Sequence, residues 1–283
     1  MQLLPKSKCL KGLLLIVCLM FLMVGCEEIN TIDEREPNKP NVTLPSEQDV
    51  PVTDIKIANW NVQTFGTTKW SNPAVKQKLL EVIPIFDIIF IQEIRDSTNT
   101  VFPELCDALK EEYACAISSR AGRTNSKEQY GVIYNKNIEL VQLVDYNLQQ
   151  ENNQYWERPP VEVQFKYDEY YFTIYNIHIK PDDASNELKY LEEKTSDSGN
   201  VIWLGDFNAD GDYYDEDQDI VFLDDKWVIE DSEDTTVAAS SNTYDRIILN
   251  KDMYQEYASH GIYTDITSEI SDHYPVWVEI RVS

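Results

Sequence analysis

Apolar runs of strand length recur along this chain, and several stop abruptly at a carboxylate, an amide or an imidazole. Residues 200–204 (NVIWL) form a nearly continuous apolar run that hands over to Asp206 and Asn208, and residues 276–280 (VWVEI) follow directly on Asp272 and His273. Three more segments share this grammar: 55–62 (IKIANWNV) ends in Asn61, 88–93 (IIFIQE) ends in Glu93, and 170–177 (YYFTIYNI) delivers His178. Such runs predict buried strands. Further strands are predicted over 130–134, 138–146, 161–167 and 244–249, and helices over 73–83, 101–112 and 184–194. Mixed α/β order follows, with no internal repeat. His260, in Ser259-His260-Gly261, reads as a loop residue without a role.

Strand ends that collect Asn61, Glu93, His178, Asp206, Asn208, Asp272 and His273 point to one shared rim, because open α/β sheets bind ligands beyond their strand ends. The chain has three histidines, and two of them belong to this set. Any single carboxylate of this kind could merely cap a strand or turn. The ordered recurrence favours chemistry instead. Oxygen donors around two imidazoles suit a hard divalent cation and the hydrolysis of a phosphate ester, which needs an activated water, a proton for the leaving oxygen and positive charge near the phosphoryl oxygens.

Eight runs in order carry a resemblance: NVQTFG (61–66), IIFIQEIRD (88–96), KEQYGVIY (127–134), ERPP (157–160), IHIKPDDA (177–184), GDFNAD (205–210), TYDRI (243–247) and SDHYPV (271–276). Together they resemble the endonuclease/exonuclease/phosphatase superfamily, and within it the deoxyribonuclease I branch. The resemblance covers roughly residues 53–281. It implies a four-layer α/β sandwich of two mixed β-sheets flanked by helices. It also implies that His178 pairs with Glu128 and His273 with Asp245, each carboxylate fixing a tautomer and raising the basicity of its ring. Asp206 and Asn208 complete the catalytic set. Glu93, Asp272, Asp206 and Asn61 would hold Mg²⁺ or Mn²⁺, and Arg95, Arg158 and Asn61 would contact phosphates. Asp234 and Thr236 fall where the family has a structural calcium loop. The run from Asp206 to Gly211 mimics half of an EF-hand, but it follows a strand and meets Asp217 where glutamate belongs, so it is set aside.

The sequence departs from the branch at positions that touch substrate. Gln63 and Ser126 stand where an arginine and a tyrosine of the family reach the DNA minor groove, and Gly211 with Asn242 replace both halves of a family disulfide. DNA is therefore the leading substrate, with a phosphatase or phosphodiesterase on phospholipid, sugar phosphate or nucleotide as the second reading. A non-catalytic surface binding protein on the same scaffold is the third, and it has no need of both imidazoles. No protein partner is inferred.

The first 25 residues read as a lipoprotein signal peptide. Lys6, Lys8 and Lys11 precede a short apolar stretch that ends in Leu22-Met23-Val24-Gly25-Cys26, with Cys26 as the lipidated residue. Residues 26–52 contain Pro37, Pro40, Pro45 and Pro51 and read as a disordered tether, which leaves 53–283 as one catalytic domain. The implied location is exported and anchored by lipid to a bacterial membrane, which disfavours a repair role in the cell. Export also permits Cys106 and Cys115 to pair, although the sequence alone does not decide that. With 24 basic and 50 acidic residues the chain carries a net charge of −26, and loss of residues 1–25 leaves 21 minus 50, or −29. Such a molecule excludes binding to nucleic acid through a broad basic face. Divalent cations must then neutralise the acidic rim before a polyanion can approach.

Overall fold

The computed structural model describes residues 53–123, 127–215 and 221–282. Cys26, the signal segment, the tether and Ser126 lie outside the described residues. In chain order the elements are β1 (Thr53–Phe65), α1 (Thr67–Trp70), α2 (Pro73–Val82), β2 (Ile88–Ile94), α3 (Val101–Leu109), β3 (Tyr113–Ile117), β4 (Gln129–Asn135), β5 (Glu139–Asp145), β6 (Val161–Tyr167), β7 (Tyr170–Asn176), α4 (Ala184–Lys194), β8 (Val201–Asp206), β9 (Lys226–Trp227), β10 (Asp245–Leu249), β11 (Tyr257–Ile262) and β12 (Val276–Val282). The predicted strands and helices all occur, with ends shifted by a few residues.

Two six-stranded sheets result, ordered β11-β12-β1-β2-β4-β3 and β5-β6-β7-β8-β10-β9. Each is antiparallel apart from one central parallel pair, β1 with β2 and β7 with β8. Both sheets are therefore mixed, and the expected sandwich is the observed one. Alternation explains the layering. On β1, Ile55 and Ile57 join Val163, Phe165, Ile202 and Leu204 in the core between the sheets. Ala58, Trp60 and Val62 pack outward with Leu79, Val82 and Phe102 of the helices. On the opposite face of the sandwich, α4 buries Leu188 and Leu191 against Tyr175 and Trp203. Helices thus cover both outer faces, as strands that are apolar on both sides demand.

His260 is not in a loop. It lies within β11, an edge strand whose six positions are all half-buried. Without alternation the segment gave no strand signal, and its pairing with β12 supplies the order instead. Gly261 serves this packing, since a Cβ there would stand 2.8 Å from the Trp277 ring. Cys106 and Cys115 form a disulfide that ties α3 to β3. No helix among the described residues is long and apolar enough to cross a membrane.

Candidate active site

The central strands β1, β2 and β8 end at one rim, together with the segments that follow β7 and precede β12. Gly205 permits this convergence. Its φ is 153°, and a Cβ would fall 1.9 Å from the Ile177 carbonyl oxygen, so only glycine lets the end of β8 lie against the backbone that leads to His178. Beneath the rim, buried amides join the sheets. Asn176 Nδ2 donates to Asn59 Oδ1 (2.8 Å), Asn59 Nδ2 to Gln92 Oε1 (3.3 Å), and Gln92 Nε2 to the Ile177 carbonyl (2.8 Å). Gln92 Oε1 also accepts the Asp206 amide N–H (2.9 Å). The polar residues inside otherwise apolar strands were the only signal for this network.

Asp206 is the hub of the site. Its Oδ2 accepts from Asn61 Nδ2 (3.0 Å) and faces His178 Nε2 (3.4 Å) and His273 Nε2 (3.6 Å). Each ring is held from behind: His178 Nδ1 lies 2.6 Å from Glu128 Oε1, and His273 Nδ1 lies 2.7 Å from Asp245 Oδ2. Two buried imidazole and carboxylate pairs therefore point their free nitrogens at one carboxylate oxygen. Asn208 closes the edge, with Nδ2 donating to the Ile179 carbonyl (3.0 Å) and its amide N–H donating to Asp206 Oδ1 (3.1 Å).

Electrostatics within the pairs favours charged rings. Burial and the Arg158 guanidinium oppose protonation of His178, but Glu128 and Asp206 outweigh them and raise its pKa. Burial likewise opposes His273, and Asp245, Asp206 and Asp272 lift it to about 10. Burial works against the Glu128 carboxylate, yet His178, Arg158 and Arg95 hold its pKa below the ordinary carboxylate range. Asp245 is pushed up by burial against the pull of His273; with three carboxylates facing that ring, its rise is the dominant direction in the pair.

The cationic and oxygen donors are arranged unevenly. Arg95 Nη2 lies 3.1 Å from Glu93 Oε2 and 3.6 Å from Glu128 Oε2. Arg158 is more deeply committed, donating from Nε to the His178 carbonyl (3.0 Å) and from Nη2 to the Ile179 carbonyl (3.2 Å), with Glu128 Oε1 at 3.3 Å. It therefore braces the His178 strand end as well as carrying positive charge. Asn61 presents its amide N–H, not its oxygen, to Asp206 and to Glu93 Oε1 (3.4 Å), while its Oδ1 accepts the Gln63 N–H. Gln63 Nε2 donates to Asp272 Oδ2 (2.8 Å).

Four buried atoms here have no hydrogen-bond partner among the described residues: Arg95 Nε, Glu128 Oε2, Asp245 Oδ1 and Asp272 Oδ1. A stranded guanidinium donor beside stranded carboxylate oxygens fits a site built for an anion and a hard cation together. Glu93, Glu128 and His178 also offer ligand atoms within 4.8 Å of one another. Of these three, Glu128 Oε1 and His178 Nδ1 already bind each other, and Glu93 accepts from Asn61 at Oε1 and from Thr64 at Oε2; Asp206 and Asp272, the other expected ligands, are not in this group.

Asp234 and Thr236 lie in a turn closed by the chain's own groups. Asp234 Oδ1 accepts from the Thr236 N–H, the Thr236 hydroxyl and the Asn242 N–H, and Thr236 pairs with His273 in a β-bridge. Gly211 and Asn242 are neighbours, since a Cβ on Gly211 would lie 3.2 Å from Asn242 Oδ1. In place of a disulfide, Asp210 Oδ2 accepts the Thr243 N–H at 2.6 Å.

Sequence reading missed several supporting residues. Tyr130 OH accepts the His178 N–H and donates to the Arg158 carbonyl. Glu187 of α4 accepts the N–H groups of Glu157 and Lys180, pinning both flanks of the His178 pair, and burial pushes its pKa up to about 7. Only the deep amphipathic register of α4 hinted that Glu187 faces inward.

Known proteins resemble this chain in sequence and fold. The model of the endonuclease/exonuclease/phosphatase family matches residues 58–273. Bovine (Bos taurus) deoxyribonuclease-1 is 31% identical over 264 residues, covering 80% of this chain and 92% of its own. Among solved structures, an endonuclease/exonuclease/phosphatase from Bacteroides vulgatus shares the fold with a TM-score of 0.61 and 17% identity, covering 82% of this chain and 100% of its own. A mannosyl-6-phosphatase from Bacteroides thetaiotaomicron does so with a TM-score of 0.55 and 16% identity, covering 81% of this chain and 100% of its own. The rim of paired imidazoles and carboxylates, the two-sheet sandwich that builds it and these matches lead to one conclusion: the chain belongs to the endonuclease/exonuclease/phosphatase family.

Proposed function

We propose that this protein is a divalent-cation-dependent phosphodiesterase that cleaves DNA without sequence specificity. The observation that carries the proposal is the approach of two imidazoles, each backed by a buried carboxylate, to the same Asp206 oxygen at 3.4 and 3.6 Å. A phosphate seated there meets a proton acceptor and a proton donor on opposite sides, as in-line displacement requires. One ring, in its neutral form, takes a proton from the attacking water and the other, protonated, supplies one to the leaving oxygen, while Glu128 and Asp245 hold the two rings in orientation. Arg95 turns its stranded Nε towards a non-bridging oxygen, and Arg158 adds charge behind it. Glu93, Asp206 and Asp272, with Asn61 after rotation of its amide, would hold Mg²⁺ or Mn²⁺, which when bound supplies positive charge to the phosphoryl oxygens. Ca²⁺ has the same preference for oxygen and is a second candidate ion. The signal-like N-terminus and Cys26 support an exported, lipid-anchored enzyme whose substrate lies outside the cytoplasm.

A second reading, hydrolysis of small phosphomonoesters or headgroups, is favoured by Gln63. Its side chain is spent on Asp272 where the deoxyribonuclease I pattern has an arginine, and the net charge of −26 weakens the hold on a polyanion. The two readings separate in a side-by-side assay with Mg²⁺ on plasmid DNA, a single-stranded oligonucleotide, p-nitrophenyl phosphate and a hexose 6-phosphate. The nuclease reading predicts kcat/KM on DNA higher by roughly a hundredfold or more. The reverse order assigns the enzyme to monoesters.

A further inference from the structure

The register of β1 against β2 breaks between Asn61 and Phe65, so residues 62–64 have no partners in β2. Gln63 (φ 45°) and Thr64 (φ 53°) both take left-handed backbone there, a strained choice for a β-branched threonine. The kink has a use, because it points Gln63 at Asp272 and lets the Thr64 N–H donate to Glu93 Oε2 (2.7 Å). It also leaves carbonyls in need of donors.

One side chain answers that need. Lys69 of α1, half-buried, donates from Nζ to the carbonyl oxygens of Val62 (2.8 Å), Gln63 (2.5 Å) and Ile270 (2.9 Å). The first two belong to the kink that carries Asn61 and Gln63. The third immediately precedes Ser271, Asp272 and His273. A lysine ammonium is a point donor with three N–H groups, which suits three carbonyls that converge on it from two segments. Three other bonds cross the same seam: Ser271 Oγ to the Asn61 carbonyl (2.6 Å), Trp60 Nε1 to the His273 carbonyl (3.1 Å), and Gln63 to Asp272.

We propose that Lys69 is a positioning residue whose ammonium staples the end of β1 to the 270–273 segment and so sets where Asp272 and His273 stand relative to Asn61 and Glu93. The staple touches no reacting atom. Its effect on turnover rests on the nuclease reading above, but its effect on geometry does not.

The test uses the full-length protein and Lys69→Met, with NMR of the histidine rings and tryptophan indoles recorded beside plasmid-cleavage kinetics. With three histidines in the chain, the His273 ring is resolved from those of His178 and His260. Lys69→Met moves the His273 ring and Trp60 indole signals and leaves His260 in place; kcat falls roughly tenfold to a hundredfold, as small misplacements of catalytic groups cost, while KM changes little. Lys69→Arg, which keeps the charge but spreads its donors over a plane, restores part of both. Unmoved His273 and Trp60 signals in a folded Lys69→Met variant overturn the proposal. Should that variant not fold, Lys69→Gln is read in the same way. A wild-type chain that leaves DNA intact would remove the nuclease reading, and the resonances would still decide the staple.

Discussion

At His273 three carboxylates face one buried imidazole, and this residue ties the chemistry of the site to the stability of the fold. Its pKa is raised to about 10, above the ordinary histidine value near 6.5 that applies once the chain unfolds. The native state therefore holds a proton that the unfolded state has released between those two values, so the contribution is complete below about pH 6.5 and is lost as pH rises towards 10. Without Asp245 the ring's pKa falls back and most of that dependence goes. Thermal unfolding in EDTA should show the wild type losing stability from pH 6.5 to 10, with Asp245→Asn less stable at the low end and the gap closing at the high end. A constant gap across that window would contradict the pair. At this scale the first rank of the candidate site was legible, because Glu93, His178, Asp206, Asp272 and His273 interrupt or border apolar runs, and their ordered recurrence outweighs the capping role any one of them could have. The second rank was not. Lys69, in a Thr-Thr-Lys run, has the composition of a solvated helix start, and only the kinked carbonyls show why it turns inward.

At the scale of elements, the strands buried on both faces announced themselves as long apolar runs, and of the four edges only β5 did. β3 reads Tyr-Ala-Cys-Ala-Ile and β11 reads Tyr-Ala-Ser-His-Gly-Ile; small or polar side chains give neither the continuous pattern of a central strand nor clean alternation. Both are ordered by a neighbour. For β3 the order is also covalent, through Cys106–Cys115, which closes a short loop between α3 and β3. Chain-entropy reasoning gives such a bridge about 2–3 kcal/mol. Replacing both cysteines by serine should lower Tm by roughly 5–10 °C in calorimetry. The bridge joins α3 and β3 away from the His178 and His273 pairs, so plasmid cleavage at 25 °C should stay close to wild type. An unchanged Tm would show that packing of Phe102 and Leu105 already orders this corner.

For the molecule as a whole, periodicity yields a mixed α/β chain, whereas the two-sheet sandwich became legible only through eight ordered motifs. Those motifs lie at strand ends because the rim is where segments from both sheets meet. The paired central strands, β1 with β2 and β7 with β8, bring Glu93 and Asp206 from different sheets to the same place, and the buried amides of Asn59, Gln92 and Asn176 hold that seam. Charge bears on the same scale. A chain at −26 with carboxylates crowding its rim meets a polyanion only after cations have neutralised that rim. The proposed cation dependence thus has a basis in both the site and the surface charge. The most direct measurement is nicking of supercoiled plasmid by the purified protein with Mg²⁺ and Ca²⁺, against EDTA and against His178→Ala. The account predicts nicking that EDTA abolishes and that His178→Ala lowers by about a hundredfold or more. A folded wild-type protein that leaves the plasmid supercoiled, or a His178→Ala variant that nicks at the wild-type rate, would contradict it.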